Sequence, residues 1–89
     1  MATRVLIVDD HAEFRALARR VLERDGFDVV GEVIDGGHAV AAVDETRPDV
    51  VLLDVQLPDV NGFEVAETLG ARDNAPIVVM TSSRDEADF

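Results

Sequence analysis

The sequence contains no cysteine and no lysine among its 89 residues, and it has no tryptophan or tyrosine. Without cysteine the chain forms no disulfide and offers no thiolate as a ligand or nucleophile, which fits a reducing, cytoplasmic setting. All eight basic residues are arginine, against 19 acidic residues, so the formal net charge is -11. Because nucleic-acid binding requires a basic surface that displaces counterions from phosphates, this charge argues against direct binding of DNA or RNA by this chain.

Long apolar runs are also lacking. The first run, Val5 to Val8, is followed at once by two aspartates, and it is too short for a signal peptide or a membrane span. The hydrophobic content of 47% is nevertheless that of a globular chain. We therefore expect one small domain that buries roughly 60 to 65% of the surface of its unfolded chain.

Short apolar runs and helical periodicities alternate along the chain, without a linker, a repeat or a low-complexity segment. The first helix is predicted because apolar residues recur at i, i+3, i+4, i+7 and i+8 from Phe14 to Leu22. Together the patterns predict strands over residues 4–8, 28–33 (or from 27), 50–54 and 77–80, and helices over residues 12–24, 38–46 and 63–69. Residues 84–89 resemble the first turn of a further helix, with Ser83 as N-cap and Glu86 completing a capping box.

Alternating strands and helices predict an α/β fold, in which right-handed crossovers connect the strands of a doubly wound parallel sheet. If the strand order is 2-1-3-4, the switch point lies between the first and third strands. These are the two strands that lead into carboxylates, Asp9 and Asp10 after the first and Asp54 at the end of the third. Because open α/β folds bind ligands at this edge of the sheet, we predict that three carboxylates converge there.

Three neighbouring carboxylates repel one another unless a cation or raised pKa values reduce their charge. Oxygen ligands of this kind suit Mg²⁺, which favours octahedral oxygen coordination and is often bound together with phosphate. Thr81, at the end of the fourth strand, adds a hydroxyl. This set predicts phosphoryl transfer, with a carboxylate as nucleophile, a metal that neutralises developing charge and a hydroxyl that binds a phosphoryl oxygen.

Four motifs in a fixed order resemble the receiver domain of two-component response regulators. They are Val-Asp-Asp-His at 8–11, Leu-Leu-Asp at 52–54, Leu-Pro-Asp-Val-Asn-Gly at 57–62 and Met-Thr-Ser at 80–82. The resemblance runs from Val5 to about Ser82 and implies a flavodoxin-like (CheY-like) fold of strand order 2-1-3-4. The Asp-Asp-His variant, followed by an arginine-rich first helix, is most similar to regulators that carry a LuxR-type helix-turn-helix output domain.

The resemblance implies a phosphoacceptor signalling module rather than an enzyme. Asp54 would accept a phosphoryl group from a phosphohistidine on a sensor histidine kinase, in a Mg²⁺-dependent step of a phosphorelay. The metal would be held by Asp10 directly, by Asp9 through water, and by Asp54 and the backbone carbonyl of Gln56. Thr81 would be the switch hydroxyl that moves toward the phosphoryl group.

The resemblance also shows where this sequence differs from the family. In the family a fifth strand carries a lysine that pairs with the phosphoryl group, whereas this sequence has no lysine. We therefore expect a receiver domain over residues 1–89 that is incomplete at its C-terminus and lacks the fifth strand and fifth helix. An alternative function is a phosphorylation-impaired fragment that acts as a binding or dimerisation module. Because the edge of the fourth strand would be open, we expect a homo-oligomer that buries Ile77 and Val79.

Several of these residues also admit plainer interpretations. Asp9 and Asp10 could cap the first helix or solvate a strand end. Ser82, rather than Thr81, could be the functional hydroxyl. His11 is interpreted as an exposed first-turn residue and not as a ligand or base. The arginines of the first helix could bind a kinase, although solvation of a helix face is the preferred interpretation.

The loops contain further candidate residues. Gly36 and Gly37 are not interpreted as a phosphate cradle, because the segment lacks the lysine and glycine spacing of such loops, and Asp35 would repel an anion.

By resemblance, Gly62 would shape the loop after the acceptor, together with Pro58, and Gln56 would influence the lifetime of the acyl phosphate. A Mg²⁺-dependent phosphatase is a weaker interpretation, because such enzymes usually have a second acid where Gln56 stands.

Overall fold

The computed structural model describes residues 1–82, in which strands and helices alternate. The elements are β1 (Arg4–Val8), α1 (Ala12–Arg24), β2 (Asp28–Val33), α2 (Ala39–Thr46), β3 (Val50–Asp54), α3 (Gly62–Gly70) and β4 (Ile77–Thr81). Each predicted boundary agrees with the structure to within one residue. The helical turn predicted at residues 84–89, with its cap at Ser83, lies outside the described residues. Within residues 1–82, no helix has the length and apolar character needed to cross a membrane.

The strands form one parallel sheet in the order β2-β1-β3-β4, as predicted. The central strands β1 and β3 are neighbours, with Val8 opposite Leu53. Strand β4 extends the sheet so that Thr81 lies opposite Asp54. Because parallel strands all end at the same edge, the residues that end or follow β1, β3 and β4 come together there.

The hydrophobic core lies between one face of the sheet and the helices α2 and α3. Side chains alternate between the two faces of a strand, so every second residue of β1 and β3 contributes to this core. Its buried members are Leu6, Val8, Val51 and Leu53 from the sheet, with Ala39, Val43, Val65 and Leu69 from the two helices. This packing fixes the two central strands and therefore the edge at which they end.

The opposite face of the sheet is covered less completely. No residue of α1 is buried, although the helix has the predicted bounds and apolar stripe. Leu17 in that stripe is 55% exposed, and Ile77 and Val79 of β4 are 67% and 44% exposed. Among the described strands β4 lies at an edge of the sheet, so one row of its backbone groups faces outward.

Two arginines of α1 attach this helix to the sheet. Arg15 Nε donates to Glu32 Oε1 at 3.1 Å, and Arg19 Nε donates to Oε2 of the same carboxylate at 2.7 Å. Arg15 Nη1 also donates to the backbone carbonyl of Asp9 at 2.9 Å. These two arginines therefore pair with Glu32 on β2 in addition to contributing to the solvated helix face that the sequence favours.

Candidate functional site

The two central strands place a pair of buried carboxylates side by side. Because Val8 and Leu53 are opposite one another, Asp9 and Asp54 occupy equivalent positions on neighbouring chain segments. The exposed fraction is 0% for Asp9 and 2% for Asp54. Asp10 follows in the bend after β1, with its side chain partly exposed. The structure thus brings together the three carboxylates predicted from the sequence.

His11 completes this group, which we call the acidic cluster: Asp9, Asp10, His11 and Asp54. The Nδ1 atom of His11 lies 3.0 Å from Asp9 Oδ1, 3.1 Å from Asp10 Oδ1 and 3.9 Å from Asp54 Oδ2. One ligand atom from each of the four residues lies within 4.8 Å of all the others. Ligand atoms at such spacing can share a single metal ion.

Among the described residues, the hydrogen bonds of Asp9 leave one of its two buried oxygens without a partner. Asp9 Oδ1 accepts from the His11 backbone N–H at 2.7 Å, and Asp54 Oδ1 accepts from the Gln56 backbone N–H at 3.1 Å. Asp9 Oδ2 is buried and has no hydrogen-bond partner within residues 1–82. Burial of an ionised oxygen without a partner costs free energy, and a bound cation would offset that cost. The donor set therefore fits the Mg²⁺ that the family resemblance implies.

The surrounding carboxylates change the titration of His11. The side-chain hydrogen bond with Asp9 raises the pKa of His11, desolvation lowers it, and the charges of Asp10, Asp9 and Asp54 raise it further, so the net change is upward. The side chain is 55% exposed, as predicted. The sequence pattern places His11 in the first turn of α1, whereas in the structure it is the N-cap residue with extended backbone, and its ring faces the acidic cluster.

Thr81 brings a hydroxyl to the same edge of the sheet. It lies opposite Asp54, and its carbonyl accepts from the Val55 N–H at 2.9 Å. The Thr81 Oγ1 atom is buried and has no hydrogen-bond partner in the part of the chain that the structure describes. Ser82, the alternative hydroxyl, is exposed. A buried hydroxyl that lacks a partner among the described residues can donate to an oxygen of a bound ligand.

The segment after Asp54 folds back on the end of β3. Gln56 forms an isolated antiparallel bridge with Asn61, and the Gly62 N–H donates to the Val55 carbonyl at 2.8 Å. The Asn61 side chain caps α3. A Cβ atom on Gly62 would lie 2.1 Å from the carbonyl oxygen of Asp54, so the close approach of the two backbones requires glycine.

A carboxylate joins the loop after β2 to the loop after β3. Asp59 Oδ1 accepts from the Gly36 N–H at 2.9 Å, and Asp59 Oδ2 accepts from the Gly37 N–H at 2.8 Å. The hydrogen bond from Gly36 lowers the pKa of Asp59 most, and its other backbone hydrogen bonds act in the same direction, against desolvation. Gly36 and Gly37 thus hold an anionic group from the same chain, an arrangement that the sequence pattern did not indicate.

Comparison with known proteins identifies one family. A family model described as "Response regulator receiver domain" matches residues 5–89. The DNA-binding response regulator MtrA of Mycolicibacterium paratuberculosis is 44% identical over 90 residues, which cover 99% of this chain and 39% of that protein. The DNA-binding transcriptional activator EvgA of Escherichia coli is 36% identical over 81 residues, which cover 91% of this chain and 40% of that protein. The chain therefore spans about two fifths of the length of these curated relatives.

Solved structures show the same architecture. The crystal structure of a LuxR-family two-component response regulator from Aurantimonas sp. SI85-9A1 matches with a TM-score of 0.85 and 32% identity, covering 99% of this chain and 64% of that chain. The response regulator domain of Thermotoga maritima CheB matches with a TM-score of 0.85 and 33% identity, covering 93% of this chain and 62% of that chain. These matches agree with the doubly wound fold described above.

Proposed function

The chain belongs to the response regulator receiver domain family, and on this premise we propose that Asp54 accepts a phosphoryl group from a phosphohistidine of a sensor histidine kinase. Receiver domains are signalling modules of two-component systems and interact with such kinases. The observation that carries the proposal is the burial of Asp54 beside Asp9, whose Oδ2 atom has no hydrogen-bond partner within residues 1–82. A bound cation would stabilise carboxylates buried in this way, and a cation at this edge would position a phosphoryl group.

The residues that would hold Mg²⁺ are Asp9, Asp10, Asp54 and the backbone carbonyl of Gln56. The three carboxylates are close enough to share one ion. When bound, Mg²⁺ would neutralise charge on the phosphoryl oxygens. Asp10 and Asp54 would contact it directly and Asp9 through water, which leaves coordination positions for phosphate oxygens.

Transfer would proceed by attack of a carboxylate oxygen of Asp54 on phosphorus. The new P–O bond forms while the bond from phosphorus to the histidine nitrogen breaks, and the electron pair of the broken bond remains on the imidazole of the kinase. The hydrogen bond from the Gln56 N–H fixes the orientation of the attacking carboxylate. Because phosphoryl transfer depends chiefly on positioning and charge neutralisation, these contacts contribute to the rate.

The Thr81 hydroxyl would donate a hydrogen bond to a phosphoryl oxygen on Asp54. Two observations support this role of Thr81. The strand register places Thr81 opposite Asp54, and its buried Oγ1 lacks a partner among the described residues. The exposure of Ser82 favours Thr81 as the functional hydroxyl. A donor that finds its acceptor only after phosphorylation stabilises the phosphorylated state, and it would couple β4 to that state.

The activity of the whole protein is also part of the proposal, because the chain spans about two fifths of its relatives. MtrA and EvgA carry DNA-binding names, and a LuxR-family regulator is among the structural matches. We propose a cytoplasmic regulator whose DNA-binding output, such as a LuxR-type helix-turn-helix, lies outside residues 1–89. The strongly acidic receiver part would then take no direct part in DNA binding.

Assembly through β4 is a second candidate function, and a specific observation favours it. Ile77 and Val79 are exposed apolar residues on an edge strand of the described sheet. Such edges favour pairing with another chain, so the protein would act as a binding or dimerisation module even if phosphorylation were impaired. Light scattering at micromolar concentration should show a dimer or larger assembly, which the double variant Ile77→Lys, Val79→Lys loses. A monodisperse monomer of the unsubstituted chain would rule out this candidate.

The phosphoacceptor proposal can be tested with beryllofluoride, a mimic of a phosphoryl group bound to a carboxylate. Fluorine NMR should show a bound signal that requires Mg²⁺ and disappears in Asp54→Asn. Thr81→Ala should keep the bound signal at a changed chemical shift, because a donor to the mimic is lost. The matched control is Asp73→Asn, since Asp73 is exposed and lies outside the acidic cluster. A folded protein without a bound signal in the presence of Mg²⁺ would contradict the proposal.

A further inference from the structure

We infer that His11 is a direct metal ligand of the acidic cluster and shifts its preference from Mg²⁺ toward divalent first-row transition ions such as Mn²⁺. This inference rests on the proposed function, because it concerns the same cluster of carboxylates. His11 would add one nitrogen donor to a ligand set that otherwise consists of oxygens. The consequence is a change in which ion the site selects, and this can be measured without any phosphoryl transfer.

Two of the three distances from His11 Nδ1 to the oxygens of the acidic cluster are close to those between adjacent ligands of a coordination octahedron. With metal–ligand bonds of about 2.1 Å, adjacent ligand atoms of an octahedron lie about 3.0 Å apart and opposite ones about 4.2 Å apart. The Nδ1 atom is 3.0 Å from Asp9 Oδ1 and 3.1 Å from Asp10 Oδ1, which are adjacent-ligand distances. Its distance of 3.9 Å from Asp54 Oδ2 lies between the two values. An ion beside Nδ1 can therefore contact the imidazole, Asp10 Oδ1 and Asp54 Oδ2 with only small side-chain movements, while Asp9 lies close enough to be bound through water as proposed above.

The burial of Asp9 gives an independent reason to expect an ion at this place. The side chain of Asp9 is 1% exposed, and its Oδ2 atom has no hydrogen-bond partner in the described part of the chain. The other oxygen, Oδ1, already accepts from the backbone N–H of His11 at 2.7 Å. The oxygen that remains is inaccessible to bulk water and belongs to the acidic cluster, so a cation bound there would satisfy it.

The donor chemistry indicates which ions benefit from the imidazole. Carboxylate and water oxygens suit Mg²⁺, whereas an imidazole nitrogen binds first-row transition ions better. A ligating imidazole nitrogen carries no proton, so any proton on His11 Nδ1 passes to solvent when the ion binds. The exposure of the His11 ring gives this proton a direct path to water.

His38 provides a matched control within the same chain. Its Nδ1 atom lies 2.7 Å from Asp35 Oδ1, and like His11 it is the N-cap residue of a helix. Within residues 1–82, however, His38 belongs to no group of three or more candidate metal ligands. His38→Ala therefore removes a histidine paired with a carboxylate while leaving the acidic cluster intact.

The experiment combines pulsed electron paramagnetic resonance of the Mn²⁺-loaded chain with calorimetric titration of Mn²⁺ and Mg²⁺. The unsubstituted chain and His38→Ala should show coupling of Mn²⁺ to a directly bound nitrogen, and His11→Ala should not. The ratio of Mn²⁺ affinity to Mg²⁺ affinity should fall by about tenfold or more in His11→Ala, at least as much as loss of an outer-shell partner costs a metal site. If His11→Ala fails to fold, the presence or absence of nitrogen coupling in the unsubstituted chain and in His38→Ala still decides whether His11 binds Mn²⁺.

Three results would overturn the inference, and they are distinguishable. Mn²⁺ bound in a one-to-one complex without nitrogen coupling would exclude His11 as a ligand and leave the proposed function standing. Tighter binding of both ions by His11→Ala would show that the imidazolium is a counter-ion that the metal displaces, which also leaves the proposed function standing. A folded chain that binds neither ion would overturn both this inference and the proposed function.

Discussion

Asp59 Oδ1 accepts a hydrogen bond from the Gly36 backbone N–H at 2.9 Å, across 23 positions of the sequence. The contact joins the loop after β2 to the loop that follows the acceptor strand. The second oxygen of Asp59 accepts from Gly37, so the carboxylate is held by two donors. Because the loop between β3 and α3 begins immediately after Asp54, this contact restrains the backbone next to the acidic cluster.

The stability of the fold should therefore depend on the ionisation of Asp59. Its backbone hydrogen bonds lower its pKa in the folded state. Such a carboxyl contributes stability that is fully present above its unfolded pKa of about 4 and is lost as the pH falls through the lower folded pKa. Below about pH 4, the urea midpoint of the unsubstituted chain should fall more steeply than that of Asp59→Asn, whose amide does not titrate. Identical slopes for the two proteins would show that this contact does not contribute to stability.

Gly62→Ala should destabilise the fold and disturb the acidic cluster. The new Cβ would meet the Asp54 carbonyl at 2.1 Å, and backbone atoms cannot move aside as a flexible side chain can. Overpacking of this kind costs roughly 1 to 3 kcal/mol, and occasionally more. Urea unfolding would measure the loss, and Mg²⁺ titration would show weaker binding by the protein that remains folded.

Gly70→Ala is the control for this substitution. Gly70 is the last residue of α3, and a Cβ there meets no atom within 4 Å. Its replacement should leave the free energy of unfolding unchanged or raise it, by up to about 1 kcal/mol, because alanine restricts the unfolded chain. Equal losses in the two variants would contradict a steric role for Gly62.

Leu53→Ala should reduce the free energy of unfolding by about 2 to 5 kcal/mol, because it opens a cavity beside α2 and α3 in the centre of the core. Leu53 is fully buried and directly precedes Asp54. Leu17→Ala, at an exposed position of α1, should change stability by no more than about 0.5 kcal/mol. Chemical unfolding of both variants checks the difference, and similar losses would show that the core is not where the structure places it.

The fold could be predicted because its determinants are local. Helix α1 has the apolar period of 3.6 residues, and β3 is a short apolar run that begins with two β-branched residues. The alternation of such segments selects a parallel sheet with few possible strand orders. The convergence of Asp9 and Asp54 followed from that order, because both are placed at the switch point. The prediction therefore depended on topology and did not require side-chain detail.

The interactions that sequence reasoning missed depend on side chains that meet across the fold. Asp59 reaches Gly36, and Arg15 reaches Glu32 from an adjacent element. No local period or motif encodes these contacts, since each depends on how two loops or layers approach one another. The position of the His11 ring was missed for a related reason, because it depends on the extended backbone of a single cap residue.

Phosphorylation of Asp54 can be measured by incubating the chain with Mg²⁺ and acetyl phosphate and recording its intact mass. We predict a gain of one phosphoryl group that requires Mg²⁺ and is absent in Asp54→Asn, while His38→Ala gains as much as the unsubstituted chain. Borohydride reduction followed by peptide mapping should place the modification at Asp54. A folded, Mg²⁺-binding chain that gains no mass, or one that gains mass equally in Asp54→Asn, would contradict the account.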